Sequence, residues 1–351
     1  MDSFYARKYT TTRMKKIIRK ILSAGLKVLF TFNIASAQIP LPPTVPIWDA
    51  NLVQLKLHRI TESVYAVIPA TAQAETAAGV PQATTAGFVI GEKGILLIET
   101  MMTKLLYDQL ISLVRSVSSK PILYAVNTSD HGDHCFGNYL LPEKTMIIQN
   151  EFCSQNLSTN FESIQKFMIM LFGQNKGIEQ VRFRPADILI PKFQNLKIDI
   201  GNGDAVEFLN TGTAQSPADL FVKVYSKGQT IWWLGNPFIA ESPAIPWLFD
   251  GYFLEPVQNL QKIYDLVHDG DVVVPGHGRI TNKLGIKYTI DYVTALKDEI
   301  ESSVKMGLTL EQTRNHVAMK RFDRGYLLYD WLHYSFNIPN AYKDISRQVS
   351  K

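Results

Sequence analysis

Two runs of β-branched residues each end in histidine, and no other feature limits the fold of this chain as much. Ile122–Asn127 leads into Thr128-Ser129-Asp130-His131-Gly132-Asp133-His134, and Val272–Val274 leads into Pro275-Gly276-His277-Gly278. Short apolar runs bounded by turn residues read as buried strands. The polar residues that follow them then project from the strands' carboxyl ends. Two histidines and two aspartates in five residues exceed what a helix cap requires, since capping uses one Asp and leaves the imidazoles unexplained. Imidazole and carboxylate together suit zinc and similar divalent ions. Alone, His277 reads as a structural histidine. Its weight comes from closing a second strand in a chain with only seven histidines.

The rest of the chain fits strands alternating with helices. Further strands are expected at Val64–Ile68, Thr85–Ile90, Gly94–Glu99, Thr145–Gln149, Ile188–Ile190, Leu196–Ile198, Ala205–Asn210, Leu220–Tyr225 and Thr230–Leu234. Lys104–Val117 places Leu106, Leu110, Leu113, Val114 and Val117 on one helical face. A helix is expected near Val257–Val267, and the tail from about Asn282 reads as helical. Phe161–Phe172, rich in Met and Phe, reads as a core helix, with a lid over a cleft as the alternative. This order predicts an α/β fold of two packed sheets with helices outside.

The net charge of +4 is concentrated at the start of the chain. Residues 1–37 hold eight Lys/Arg and one acid, so the remainder is near neutral and offers nothing to a nucleic acid. Lys15, Lys16, Arg19 and Lys20 precede an apolar run from Ile21 that ends in Ala35-Ser36-Ala37, the pattern of a cleaved export signal. The expected location is therefore secreted or periplasmic. Val28 to Trp48 contains four prolines and makes a poor membrane span, so no stable span is expected after cleavage. Residues 38–56 read as a Pro-rich linker, 57–282 as the main domain and 283–351 as a helical extension. Cys135 and Cys153 read as two buried thiols, although an oxidising compartment would allow them to pair.

At this point the motifs resemble those of the metallo-β-lactamase superfamily. Its first motif, His-x-His-x-Asp-His, lies between a Val-Asn-Thr strand end and Gly-Asn, and Val126-Asn127-Thr128 and Gly137-Asn138 match those flanks. Pro275–Gly278 matches its closing Pro-Gly-His-Gly. Ala86–Ile90 and Gly94–Thr100 look like its opening strands, with Glu99 where Asp is usual. The resemblance covers roughly residues 57–282 and implies a four-layer αββα sandwich of two mixed sheets flanked by helices.

It also implies two metal sites, and here the chain departs from the pattern. The second site, Asp133, His134 and His277, is intact. In the first site Ser129 and Gln215 replace histidines and only His131 remains, while Asn236 replaces the bridging Asp. Serine and amide oxygens are weak, neutral ligands for zinc. The superfamily's single-zinc subclass also lacks the first histidine. It keeps the other one, however, and has Cys at the bridge, so that likeness is partial.

The expectation is an exported hydrolase for a small ester, lactone, thioester or amide. One zinc on Asp133, His134 and His277 would activate a bound water, and His131 would act as general base. The alternative is an inactive binding protein of the same fold, with a structural metal or none. His58, His268, His316 and His333 are expected to be structural.

Overall fold

The computed structural model describes Pro42, Asp49 and residues 52–78, 83–201 and 203–349. The expected signal segment and most of the linker lie outside the described residues. Seven strands form the first sheet in chain order: β1 (Leu55–Arg59), β2 (Val64–Pro69), β3 (Ala86–Ile90), β4 (Ile95–Ile98), β5 (Ile122–Val126), β6 (Met146–Asn150) and β7 (Ile188–Ile190). β1 to β4 pair antiparallel and β4 to β7 parallel. The second sheet holds β8 (Asn195–Gly201), β9 (Asp204–Leu209), β10 (Phe221–Ser226), β11 (Gln229–Gly235) and β12 (Val272–Pro275), in the order β12-β11-β10-β9-β8. Only β11 and β12 run parallel there.

Alternation along the strands sorts side chains into layers. In β2, Val64, Ala66 and Ile68 face a core between the sheets, where they meet Leu96, Ile98, Val126, Val222, Ile231 and Trp233. Tyr65 and Val67 face the other way, into a core shared with the Lys104–Val117 and Glu151–Phe172 helices. Trp232, Leu234 and Val273 cover the outer face of the second sheet and pack on Leu260, Ile263, Ile286 and Ile290 of the Leu254–Leu266 and Lys283–Lys305 helices. The result is the expected four-layer sandwich of two mixed sheets, followed by helices Leu310–His316, Tyr329–Leu332 and Ile338–Val349. The described residues form one compact unit.

Lys104–Val117 is a helix with the predicted bounds, and its N-cap Thr103 accepts a bond from the Leu106 N–H. Leu106, Leu110 and Val114 are buried, whereas Val117, at the last turn, is largely exposed. The second helix is longer than its apolar half suggested. It begins directly after β6, where Asn150 caps Phe152, and departs from helical geometry at Asn160. Its polar first half, Glu151–Thr159, lacked the apolar signal that marked Phe161–Phe172. No helix among the described residues is long and apolar enough to cross a membrane.

The functional motifs sit where strands stop. Glu99 follows β4, Asn127 to His134 follow β5, Asn236 follows β11 and His277 follows β12. Gly137 anchors the β5 loop by donating its N–H to the Met101 carbonyl at 2.8 Å. A Cβ at this position would lie 1.9 Å from the Thr100 carbonyl oxygen, a backbone atom that cannot turn aside. Gly137→Ala is therefore expected to cost about 1–3 kcal/mol. Urea denaturation of the two proteins checks this, and an unchanged midpoint would contradict it.

Candidate metal centre

A short helix, Gly132–Cys135, turns the chain immediately after β5 and buries Asp133 and His134. Its surroundings fix it. The Asn127 side chain donates to the His134 carbonyl (3.1 Å) and accepts from Asn138 and Gln149 (2.8 Å each). His277 arrives on the strand end of the other sheet, where its N–H donates to the Ile239 carbonyl (2.8 Å) and Thr84 bridges to it. Ligand atoms of Asp133, His134 and His277 lie within 4.8 Å of one another. Asp133 Oδ2 is 3.5 Å from His134 Nε2 and 3.4 Å from His277 Nε2.

His134 and Asp133 are supported from behind. Glu99 Oε1 lies 3.0 Å from His134 Nδ1 and also accepts from the Thr128 hydroxyl. That leaves His134 Nε2 facing the centre, the carboxylate–histidine arrangement that orients a metal ligand. The Thr84 hydroxyl donates to Asp133 Oδ2. Glu99 adopts a positive φ of 62°, unusual for a residue with a side chain, which turns its carboxylate into the site. Two imidazoles and one carboxylate, buried and convergent, are a donor set that fits a divalent ion.

The charges agree with the geometry. Burial alone would lower the His134 value, but Asp133 and Glu99 outweigh it and push it up to about 9. Burial would raise Asp133, yet the three nearby imidazoles hold it below the ordinary carboxylate range. His131 is likewise opposed by burial, and Asp250 leads the groups that carry it up to about 10. A dication beside Asp133 would repel both imidazolium ions and lower their values.

The substituted positions lie together on the other side of the centre. Asn236 Oδ1 is 3.0 Å from His134 Nε2, and Asn236 Nδ2 reaches His131 Nδ1 (2.9 Å) and Ser129 Oγ (3.4 Å). Gln215 donates to the Trp247 carbonyl, while its Oε1 is buried without a hydrogen-bond partner among the described residues. Of the residues expected from sequence, Asp133, His134 and His277 converge as a ligand set. His131 stands apart from them, its Nε2 3.4 Å from Asp250 Oδ2.

Asp250, Thr84 and Trp247 escaped the sequence reading. Trp247, whose ring centroid is 5.3 Å from that of His277, and Asp250 lie in a stretch with no periodicity and no motif. Asp130 does not cap the short helix. It is buried and accepts from Asn156, and burial raises its value. Cys135 and Cys153 are free, buried thiols. His333 packs in the C-terminal helices, where burial lowers it to about 4.

No family profile and no curated protein matches the chain. Among solved structures, a double mutant of the sec-alkyl sulfatase PisA1 aligns at a TM-score of 0.63 with 15% identity, and the stereoselective inverting sec-alkylsulfatase Pisa1 from Pseudomonas sp. at 0.57 with 16%. Both alignments cover 83% of this chain and 50% of the sulfatase, so the chain spans about half of that protein's length. TMB-1 aligns at 0.51 with 14% identity, over 68% of this chain and 97% of its own. The chain has the metallo-β-lactamase fold. Within that fold, Asp133, His134 and His277 arise from the ends of two strands in different sheets.

The charge pattern has a consequence for the metal-free metallo-β-lactamase fold. A histidine raised from 6.5 to about 9 adds stability that is complete below pH 6.5 and lost as the pH rises through about 9. Chelator-treated protein should therefore be less stable at pH 9.5 than at pH 6, and Glu99→Gln should shrink that difference. Urea midpoints at the two pH values measure it. An equal loss in both proteins would show that Glu99 does not hold the His134 proton.

Proposed function

We propose that the chain is an exported metal-dependent hydrolase acting on a small ester, lactone, thioester or amide. In this reading one divalent ion, zinc by the chemistry of its ligands, is held by Asp133, His134 and His277. The observation that carries the proposal is the convergence of those three buried side chains, with Glu99 behind His134 at 3.0 Å. When bound, such an ion activates a water and polarises the bond to be cleaved.

The protein's own groups divide the remaining work. Glu99 keeps the His134 proton on Nδ1, so that Nε2 presents a lone pair. Thr84 fixes the rotamer of Asp133. Asp250 engages His131 Nε2 and leaves Nδ1 to accept or return a proton. The Asn236 amide now meets Nδ1, so substrate or water must displace it before His131 can work as general base. Asn236 Oδ1, facing His134 Nε2, supplies a neutral oxygen beside the ligand set. The Trp247 ring against His277 gives the site one apolar wall.

The alternative, an inactive binding protein, draws on the mutual hydrogen bonds of Ser129, Asn236 and His131, which close the substituted half without a metal. Elemental analysis separates the two readings. About one zinc per chain is expected, falling to none in His277→Ala, and turnover of chromogenic esters and lactones should disappear with it. Glu99→Gln should weaken the ion by about 10–100-fold. A chain that binds no divalent ion would leave only the binding protein. Export rests on the Lys15–Ala37 pattern, and N-terminal sequencing of exported protein should begin at Gln38.

A further inference from the structure

Residues 239–253, between the Asn236–Phe238 turn and the Leu254–Leu266 helix, contain no helix or strand. That is long for a connection in a compact domain. Most of it is nevertheless buried, including Ala244, Ile245, Trp247, Leu248 and Phe253. One side of this stretch serves the metal centre. The Trp247 carbonyl takes the Gln215 amide, the Trp247 ring lies against His277, and Asp250 meets His131 Nε2.

The other side is held by the end of the chain. Asn337 donates to the Pro246 carbonyl (3.0 Å) and Asn340 to the Leu248 carbonyl (2.8 Å). Asp344 Oδ2 accepts from the Phe253 and Leu254 N–H groups (2.9 and 3.3 Å). Trp247 Nε1 donates to the Tyr326 hydroxyl at 2.7 Å. The Phe249 ring packs on Trp331 and Phe336, with centroids 5.4 and 5.0 Å away. Buried irregular backbone needs partners for its polar groups. Here side chains of the C-terminal helices provide several of them.

We infer that the C-terminal helices are a positioning part of the active site. Asn337, Asn340 and Asp344 fix the conformation of residues 244–253, and so set Asp250 on His131. Asp250 is the positioning residue that holds the His131 ring in place through Nε2, 3.4 Å from its carboxylate. Asp133 and His134 have separate supports in Thr84 and Glu99, so those two ligands do not depend on this clamp, whereas His277 meets it at the Trp247 ring. The inference rests on the hydrolase reading for its catalytic meaning, but the contact itself is testable without metal.

The test uses the full chain and the ¹⁵N signals of the His131 ring, together with amide hydrogen exchange over residues 244–253. In metal-free Asp344→Ala, those amides should exchange about tenfold faster or more, and the ring signals should move to the positions seen in Asp250→Asn. Asp344→Asn keeps an acceptor oxygen and should restore both. Asn340→Ala, which removes one hydrogen bond, repeats the test if Asp344→Ala does not fold. Ring signals that stay in place while the loop amides speed up would overturn the inference, as would a shift equally large in Asp344→Asn. Zinc content separates the two claims. A wild-type chain without zinc ends the hydrolase reading, while the ring comparison still decides the clamp.

Discussion

Glu99 and His134 meet 3.0 Å apart at the ends of neighbouring parallel strands, and the site is arranged around that contact. It sets the imidazole's direction and the nitrogen that carries the proton, and it brings negative charge into a dry interior. Burial of an unpaired carboxylate is costly, so Glu99 is surrounded by donors: the His134 ring, the Thr128 hydroxyl and the Thr128 N–H. Asp133 faces the same constraint from the opposite side of His134, and His277 from the second sheet supplies its counterpart. The sandwich is what makes this possible, because only the meeting of two sheets brings strand ends so distant in sequence into one pocket.

Much of this was legible in the residues. Among the described residues, β-branched runs between turn residues marked eleven of the twelve strands, most of them to within a residue or two, because most of these strands are largely buried and their composition reflects it; the half-exposed β8 extends three residues beyond the expected Leu196–Ile198. β1 was missed. Leu55–Arg59 is an edge strand whose residues are half-buried or exposed, so its alternation with Lys56 and His58 carries little signal. The ligand triad was legible because each member follows a recognisable strand. Asp250 was not, because its place beside His131 is dictated by contacts made almost a hundred residues further along the chain, as with Asn337 and Pro246. Local pattern contains no trace of such contacts.

The substituted positions also look different once placed. Read along the chain, Ser129, Gln215 and Asn236 are three separate losses. In space, Asn236 lies between His134 and His131 and bonds to both, so one amide occupies the boundary between the ligand set and the proton-handling pair. An aspartate there would add a third carboxylate to a pocket that already buries Glu99 and Asp133. The amide provides an accepting oxygen and a donating nitrogen without that charge.

The pairing of Thr84 and Thr85 with the Gly276–His277 turn has a consequence for how the molecule is made. The Thr85 hydroxyl reaches the Pro275 carbonyl across 190 positions of sequence. A nascent chain would emerge from the ribosome with its first sheet nearly complete but its β5 loop lacking a partner. Asp133 and His134 would be exposed until the last strand arrived. Assembly therefore depends on contacts that are slow to form, and the ligand set is complete only once β12 has docked.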